Sequence, residues 1–184
     1  IGANIPRKMN IEGEDLSGVY GGNTLLELQN HPNYKNKKVA VVGGGVGCAI
    51  AYPIAKKLHE MGAEVHSIVG FRNKDLVILE DDFKSASDKL VMMTDDGSYG
   101  EKGLVTENKI FSTSHDVIYT CGPTPMMKAI AEYALKNNIK CYASLENRMA
   151  CGIGACLCCV QNTTQGHKCT CTEGPVFNVK DIIW

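Results

Sequence analysis

Short apolar runs alternate with amphipathic stretches from Lys38 onward. Val39-Ala40-Val41-Val42 is apolar at every position and stops at Gly43-Gly44-Gly45-Val46-Gly47. An unbroken run of this length predicts a strand buried on both faces. The next stretch, Cys48 to Met61, carries Ile50, Ile54, Ala55 and Leu58 at helical spacing and is followed by Gly62, a helix stop. Pro53 falls inside it, where a proline kinks a helix unless it lies in the first turn. Val65 to Val69 predicts a second strand and Lys74 to Phe83 a second helix. Leu90 to Met93 predicts a third strand, closed by Thr94-Asp95-Asp96-Gly97-Ser98-Tyr99-Gly100. Asp116 to Thr120 reads as a fourth strand ending in Cys121-Gly122-Pro123. Thr124 is an expected N-cap for a helix to about Asn137, and Ile139 to Ala143 reads as a fifth strand.

Strands separated by helices give an α/β fold, a parallel Rossmann-like sheet with both faces covered. The periodicity divides the chain into three parts: a polar, turn-rich lead-in over 1–37, a nucleotide-binding domain over 38–144, and a Gly- and Cys-rich module over 145–184. There is no internal repeat and no low-complexity run. At 184 residues this suits one domain with a small appendage. The chain begins at Ile1, with neither an initiator Met nor a signal peptide, and reads as a fragment or a trimmed chain.

A net charge of −1 argues against a nucleic-acid partner, which selects basic patches. No run of eighteen apolar residues is present, so no membrane span is expected. Of the nine cysteines, Cys151, Cys156, Cys158, Cys159, Cys169 and Cys171 crowd one stretch. Without a secreted context they point to a metal centre or an iron–sulfur cluster and not to a disulfide scaffold.

Two sets of residues carry chemistry. The first lies where the strands end, since ligands of open parallel sheets bind beyond the carboxyl ends of the strands. Gly44, Gly45, Val46 and Gly47 form a turn between a strand and a helix. There the backbone can approach a pyrophosphate and the helix start offers free N–H groups. Cys48 takes the third glycine position of the usual fingerprint, and Arg72 stands where an acidic ribose ligand is common. Arg72 is a candidate for an adenosine ribose or its phosphate, or else a solvated surface residue. Asp96 and Gly97, then Cys121, Gly122 and Pro123, mark two further strand ends. All of these residues also have a plain reading as turn formers.

The second set is Cys151, Cys156 and Cys159, spaced C-x4-C-x2-C, with Cys169 or Cys171 as a fourth thiolate. Four thiolates with this opening suit a [2Fe–2S] cluster. The rival is structural zinc, which also accepts four thiolates and would make the chain a colourless, non-catalytic docking domain. His167 reads as a surface residue, and Cys48 and Cys141 as small buried hydrophobes.

The segment Ser144-Leu145-Glu146-Asn147-Arg148-Met149-Ala150-Cys151-Gly152-Ile153-Gly154-Ala155-Cys156, then Cys159, then Cys171-Thr172-Glu173-Gly174-Pro175-Val176-Phe177, resembles the electron-transfer subunits of dihydroorotate dehydrogenase B, within the ferredoxin-reductase superfamily. Thr94 to Gly103 and Cys121 to Met126 look like the same family. The resemblance implies an NAD-binding domain followed by a [2Fe–2S] module. Cys151, Cys156, Cys159 and Cys171 would then be the metal ligands, Cys171 because it stands directly before the x-Glu-Gly-Pro-Val-Phe tail. Gly44, Gly45 and Gly47 would line NAD(P)H, and Cys121, the catalytic candidate, would sit with Gly122 by the nicotinamide. Electrons would pass between the nicotinamide, an FAD carried by a domain or subunit outside this chain, the cluster and a catalytic redox partner. The setting would be cytoplasmic pyrimidine biosynthesis, and the chain would be inactive alone.

The family pattern is incomplete. Residues 1–37 cannot supply the family's flavin-binding barrel. Their Ile1 to Arg7 and Ile11 to Tyr20 are similar instead to the small subunit of glutamate synthase, which gives an alternative as an NADPH-binding portion. Tyr52-Pro53-Ile54 and Asn73-Lys74-Asp75-Leu76 resemble the small subunit of NADH-dependent ferredoxin:NADP oxidoreductase, a second alternative. Ile50 stands where the family has proline, and Cys158 where glycine is usual.

Overall fold

The computed structural model describes residues 34–184. The likeness to glutamate synthase over 1–20, and the lead-in over 1–37 as far as residue 33, lie outside the described residues. Seven strands form one sheet in the order β4-β3-β2-β1-β5-β6-β9. Strands β1 (Lys38–Gly44), β2 (Glu64–Phe71), β3 (Lys89–Thr94), β4 (Glu101–Lys102), β5 (Val117–Cys121) and β6 (Lys140–Ser144) are parallel, and β9 (Val176–Asn178) joins β6 antiparallel. A separate hairpin pairs β7 (Val160–Thr163) with β8 (Gly166–Cys169). The fold is thus α/β around a mostly parallel sheet, as the alternating pattern implies. Among the described residues no helix is long and apolar enough to cross a membrane.

Period-2 alternation divides the core into two layers. Val39 and Val41 of β1 face α1 (Cys48–Glu60), while Ala40 and Val42 face the opposite layer, built on α3 (Thr124–Lys136). Ile68 and Ile118 are fully buried, and each such side chain contributes about 2 kcal/mol by leaving water. Helix α1 buries Cys48, Ala51, Ala55 and Leu58, and runs unbroken through Pro53. Ile50 and Ile54 are only half-buried, so the core-facing stripe is rotated from the expected one.

The second helix is shorter than its pattern suggests. A 3-10 turn over Lys74–Leu76 is followed by α2 at Glu80–Ser85. Leu76, Val77, Ile78 and Leu79 are consecutive and cannot share one helical face, and Leu76 and Ile78 end up exposed. Phe83 alone anchors α2, while Glu80, Asp81 and Asp82 favour its positive N-terminal end. At α3 the N-cap is Pro123 and no side chain caps it; Thr124 is already helical.

The tail returns to the sheet. Tyr142 pairs with Asn178, Ala143 with Phe177 and Ser144 with Val176. The Val179 N–H donates to the Cys141 carbonyl at 3.0 Å, and the Leu145 N–H to the Pro175 carbonyl at 2.9 Å. Thr163 bridges Ile182, and the Ile183 N–H donates to the Asn162 carbonyl, which ties the hairpin to the same strap. The cysteine-rich segment therefore leaves from β6 and comes back beside it.

At the amino ends of the interior strands β2 and β5, His66 Nδ1 lies 3.1 Å from His115 Nε2 and His66 Nε2 lies 3.0 Å from Glu64 Oε1. Burial, with the neighbouring His66 second, pushes His115 down to about 4 from its usual value near 6.5. The folded state therefore prefers neutral His115. Its contribution to stability is present above pH 6.5 and is lost as pH falls from there toward 4, by at most about 3 kcal/mol. Urea midpoints measured from pH 7 to pH 4.5 should fall in this window. The His115→Asn variant should show a shallower fall, and an unchanged slope would remove His115 as its source.

Candidate functional site

The register of the parallel strands brings the expected residues to one edge. Gly43 lies opposite Cys121, Gly44 opposite Gly70, and Cys121 opposite Ser144. The glycine loop and the Cys121-Gly122-Pro123 turn are packed against each other. A Cβ on Gly47 would sit 2.5 Å from the Cys121 carbonyl oxygen and 2.7 Å from the Gly122 Cα. One on Gly44 would meet Met126 Sδ at 2.7 Å and Pro123 Cδ at 2.8 Å. Gly45 differs: its φ is +54°, and a Cβ there would meet nothing within 4 Å. Gly44 and Gly47 are thus demanded by internal packing, whereas Gly45 and Val46, 77% exposed, present open backbone at the helix start.

Arg72, Asp96 and Gly97 form a second group along the edge, at the ends of β2 and β3. The Asp96 N–H donates to the Arg72 carbonyl at 3.3 Å. Asp96 Oδ1 accepts from the Ser98 N–H at 2.9 Å and the Ser98 hydroxyl at 2.7 Å, which hold its carboxyl below the usual range. Ser98 Oγ in turn accepts from the Lys74 N–H at 2.8 Å. The Asp96 carboxylate is engaged in its own turn, while the Arg72 side chain is exposed.

Cys121 is 1% exposed. Burial, followed by the Glu146 carboxylate, pushes its thiol up to about 12. Its Sγ lies 3.9 Å from Glu146 Oε1. At neutral pH this is a protonated thiol and a weak hydrogen-bond donor, not a nucleophile. Glu146 was not among the residues expected here. Its signal was available, since it stands two residues beyond the carboxyl end of β6, where the other strands carry their candidates. Cys48 and Cys141 are buried, each pushed up to about 12 by burial, which matches an inert packing role.

The other thiols gather on the excursion between β6 and β9. Backbone amides turn toward the sulfurs. Ile153 N and Cys156 N donate to Cys151 Sγ at 3.5 and 3.4 Å, Cys158 N to Cys156 Sγ at 3.5 Å, and Cys171 N to Cys159 Sγ at 3.4 Å. The amides of Cys156 and Ile153 hold the Cys151 thiol down at about 6, and that of Cys171 lowers Cys159. Gly152 and Gly154, with φ of +73° and +77°, let the chain fold tightly enough for this. Asn147 Nδ2 donates to the Cys159 carbonyl and to Thr170 Oγ1, fixing both walls of the turn. Cys158 and His167 are exposed. Among the described residues, no three His, Cys, Asp or Glu side chains converge as they would on a single ion.

Residues 146–183 match the family model of the iron-sulfur cluster binding domain of dihydroorotate dehydrogenase B. The chain is 40% identical over 173 residues to the electron transfer subunit of dihydroorotate dehydrogenase B (NAD(+)) from Geobacillus kaustophilus, covering 92% of this chain and 65% of that one. It is 39% identical over 178 residues to a homologue of that subunit from Thermotoga maritima, covering 94% of this chain and 61% of the other. The chain thus spans a little under two thirds of the length of these relatives. Among solved structures, an NADH-dependent reduced ferredoxin-NADP oxidoreductase superposes with a TM-score of 0.73 at 32% identity, over 82% of this chain and 55% of that one. The C-terminal domain of a Pyrococcus furiosus hydrogenase shares the fold, with a TM-score of 0.51 at 20% identity over 63% of this chain and 96% of that domain.

The fit between loop and turn has a direct test. Gly47 has an ordinary helical φ of −60°, so Gly47→Ala probes contact alone. The added methyl must displace backbone, and the variant should lose about 1–3 kcal/mol in urea denaturation. A loss below about 0.5 kcal/mol, the scatter of surface substitutions, would show that the two turns are not in contact.

Proposed function

Because the chain is a relative of the electron transfer subunits of dihydroorotate dehydrogenase B, we propose that it is the nucleotide- and cluster-bearing part of a flavin-dependent oxidoreductase. Within it, 38–144 would form the NAD(P)-binding domain and 145–184 the cluster-binding module. The observation that carries the reading is the set of four amide N–H groups directed at the sulfurs of Cys151, Cys156 and Cys159. Hydrogen bonds of this kind stabilise bound thiolates and are a lever on the potential of an iron–sulfur centre. The residues fit such a group. Four thiols on one turn-rich excursion, three of them met by amide N–H groups, suit a thiolate-bound iron–sulfur cluster.

When bound, the nicotinamide, a flavin and the cluster would supply hydride and single-electron transfer. The chain's own residues bind and orient. Gly45 and Val46 offer open backbone N–H groups to a pyrophosphate at the start of α1. Cys121 and Gly122 lie beside that loop, at the place for the nicotinamide. There the buried Cys121 thiol, its single S–H directed at Glu146, would act as a positioning residue for the turn beneath the ring. Arg72, Asp96 and Gly97 lie at the far end, where an adenosine would rest. Arg72 would meet its ribose or phosphate, while Asp96 would shape the turn through Ser98.

Around the thiols, Ile153 is 75% exposed, Leu157 64% and Met149 46%. We read this apolar collar as the docking face for a redox partner, such as a dihydroorotate dehydrogenase catalytic subunit. The unpaired thiols fit the reducing cytoplasm. A second reading, the small subunit of an NADH-dependent ferredoxin:NADP oxidoreductase, is favoured by the 0.73 superposition. The two readings differ in partner and share the machinery.

After anaerobic purification the chain should hold about two irons and two sulfides, with the EPR signal of a reduced [2Fe–2S] centre after dithionite. It should not reduce acceptors from NADH until a flavoprotein is added. A colourless protein holding zinc would overturn the reading. Reduction of dihydroorotate dehydrogenase or of ferredoxin by the reconstituted system would separate the two partners.

A further inference from the structure

Six thiols, not four, lie on the excursion from the sheet, and of the two beyond the expected ligands Cys158 is exposed and Cys169 half-buried. Building on the cluster reading above, we propose that Cys169 is a standby ligand, able to take the place of Cys171 when that thiol is lost. The two residues flank Thr170, which is fully buried at the start of α4 (Thr170–Glu173). The Thr170 N–H donates to the Cys159 carbonyl at 3.0 Å and the Cys171 N–H to Cys159 Sγ at 3.4 Å, so both cysteines flank the contact with Cys159.

Cys169 Sγ donates to the Gly154 carbonyl at 3.9 Å, so its sulfur faces the turn that carries Cys151 and Cys156. Cys171, which stands directly before the x-Glu-Gly-Pro-Val-Phe tail, is the resident ligand and Cys169 the reserve.

The backbone of Cys169 is already fixed. It pairs with Val160 in the hairpin, and its N–H donates to Glu173 Oε2 at 2.8 Å. Exchange then needs only a side-chain rotation that gives up one weak S–H···O contact. The step is redox-neutral. The Cys169 thiol releases its proton to solvent and its sulfur bonds to iron, while the Cys171–iron bond breaks or is already absent. The iron keeps its oxidation state.

The experiment reconstitutes the full chain anaerobically with ferrous iron and sulfide, as wild type, Cys169→Ala, Cys171→Ala, Cys171→Ser and the double alanine variant. Iron and sulfide content, visible circular dichroism and EPR after dithionite are read for each. Cys169→Ala should match wild type. Cys171→Ala should keep about two irons per chain, and Cys171→Ser should give the same spectra, because the sulfur of Cys169 and not the serine oxygen fills the site. The double variant should lose the cluster. The proposal falls if Cys171→Ala drops to the iron content of the double variant, if Cys171→Ser shows a distinct oxygen-ligated spectrum, or if Cys169→Ala alone loses iron. A wild type that binds no iron would instead overturn the cluster reading itself.

Discussion

Three residue pairs between β6 and β9 hold the cysteine-rich segment to the rest of the molecule. Ser144 and Val176 lie side by side, so the long stretch between them begins and ends at one point of the sheet edge. That point is next to Cys121, the last residue of β5. The parallel register then carries the alignment across to Gly43 and Gly70. The glycine-loop edge and the thiols are therefore neighbours because backbone hydrogen bonds make them so. Side chains such as Glu146, reaching back to Cys121, follow from that placement.

Electrostatics differ sharply between the two halves of this arrangement. On the sheet, burial raises the thiols of Cys48, Cys121 and Cys141 and keeps them inert. On the excursion, amide dipoles lower Cys151 and Cys159. One residue type thus has two chemistries, set by whether its sulfur faces packed carbon or backbone N–H groups. Tight turns at Gly152 and Gly154 create the second environment, which is why a glycine-rich composition accompanies the reactive cysteines.

Strands β1, β2, β3, β5 and β6 are legible in the sequence because burial on both faces demands continuous apolar runs. Strands β4, β7, β8 and β9 are not. They are two to four residues long and partly polar, and their pairing is decided by distant partners such as Tyr142 and Ala143. The short second helix shows the same limit, since Leu76 to Leu79 look apolar enough for a helix face, yet Val77 and Leu79 pack against the core while Leu76 and Ile78 stay exposed. At the site, the glycine loop and the cysteine spacing are visible as motifs. What the sequence conceals is that Gly44 and Gly47 serve the fit against Met126, Pro123 and Cys121, leaving Gly45 as the open position. The approach of Cys169 to Gly154 is equally hidden, because it depends on the hairpin that places β8.

The adjacency of Ser144 and Val176 also bears on descent and design. A segment whose two ends are neighbours on one sheet edge can be gained, lost or exchanged without altering any strand order. A short hairpin turn would close the same gap. The sulfur-rich excursion is thus a graftable unit on a parallel α/β chassis, and transplanting it would require only an edge strand of matching direction and the three pairings that seat it.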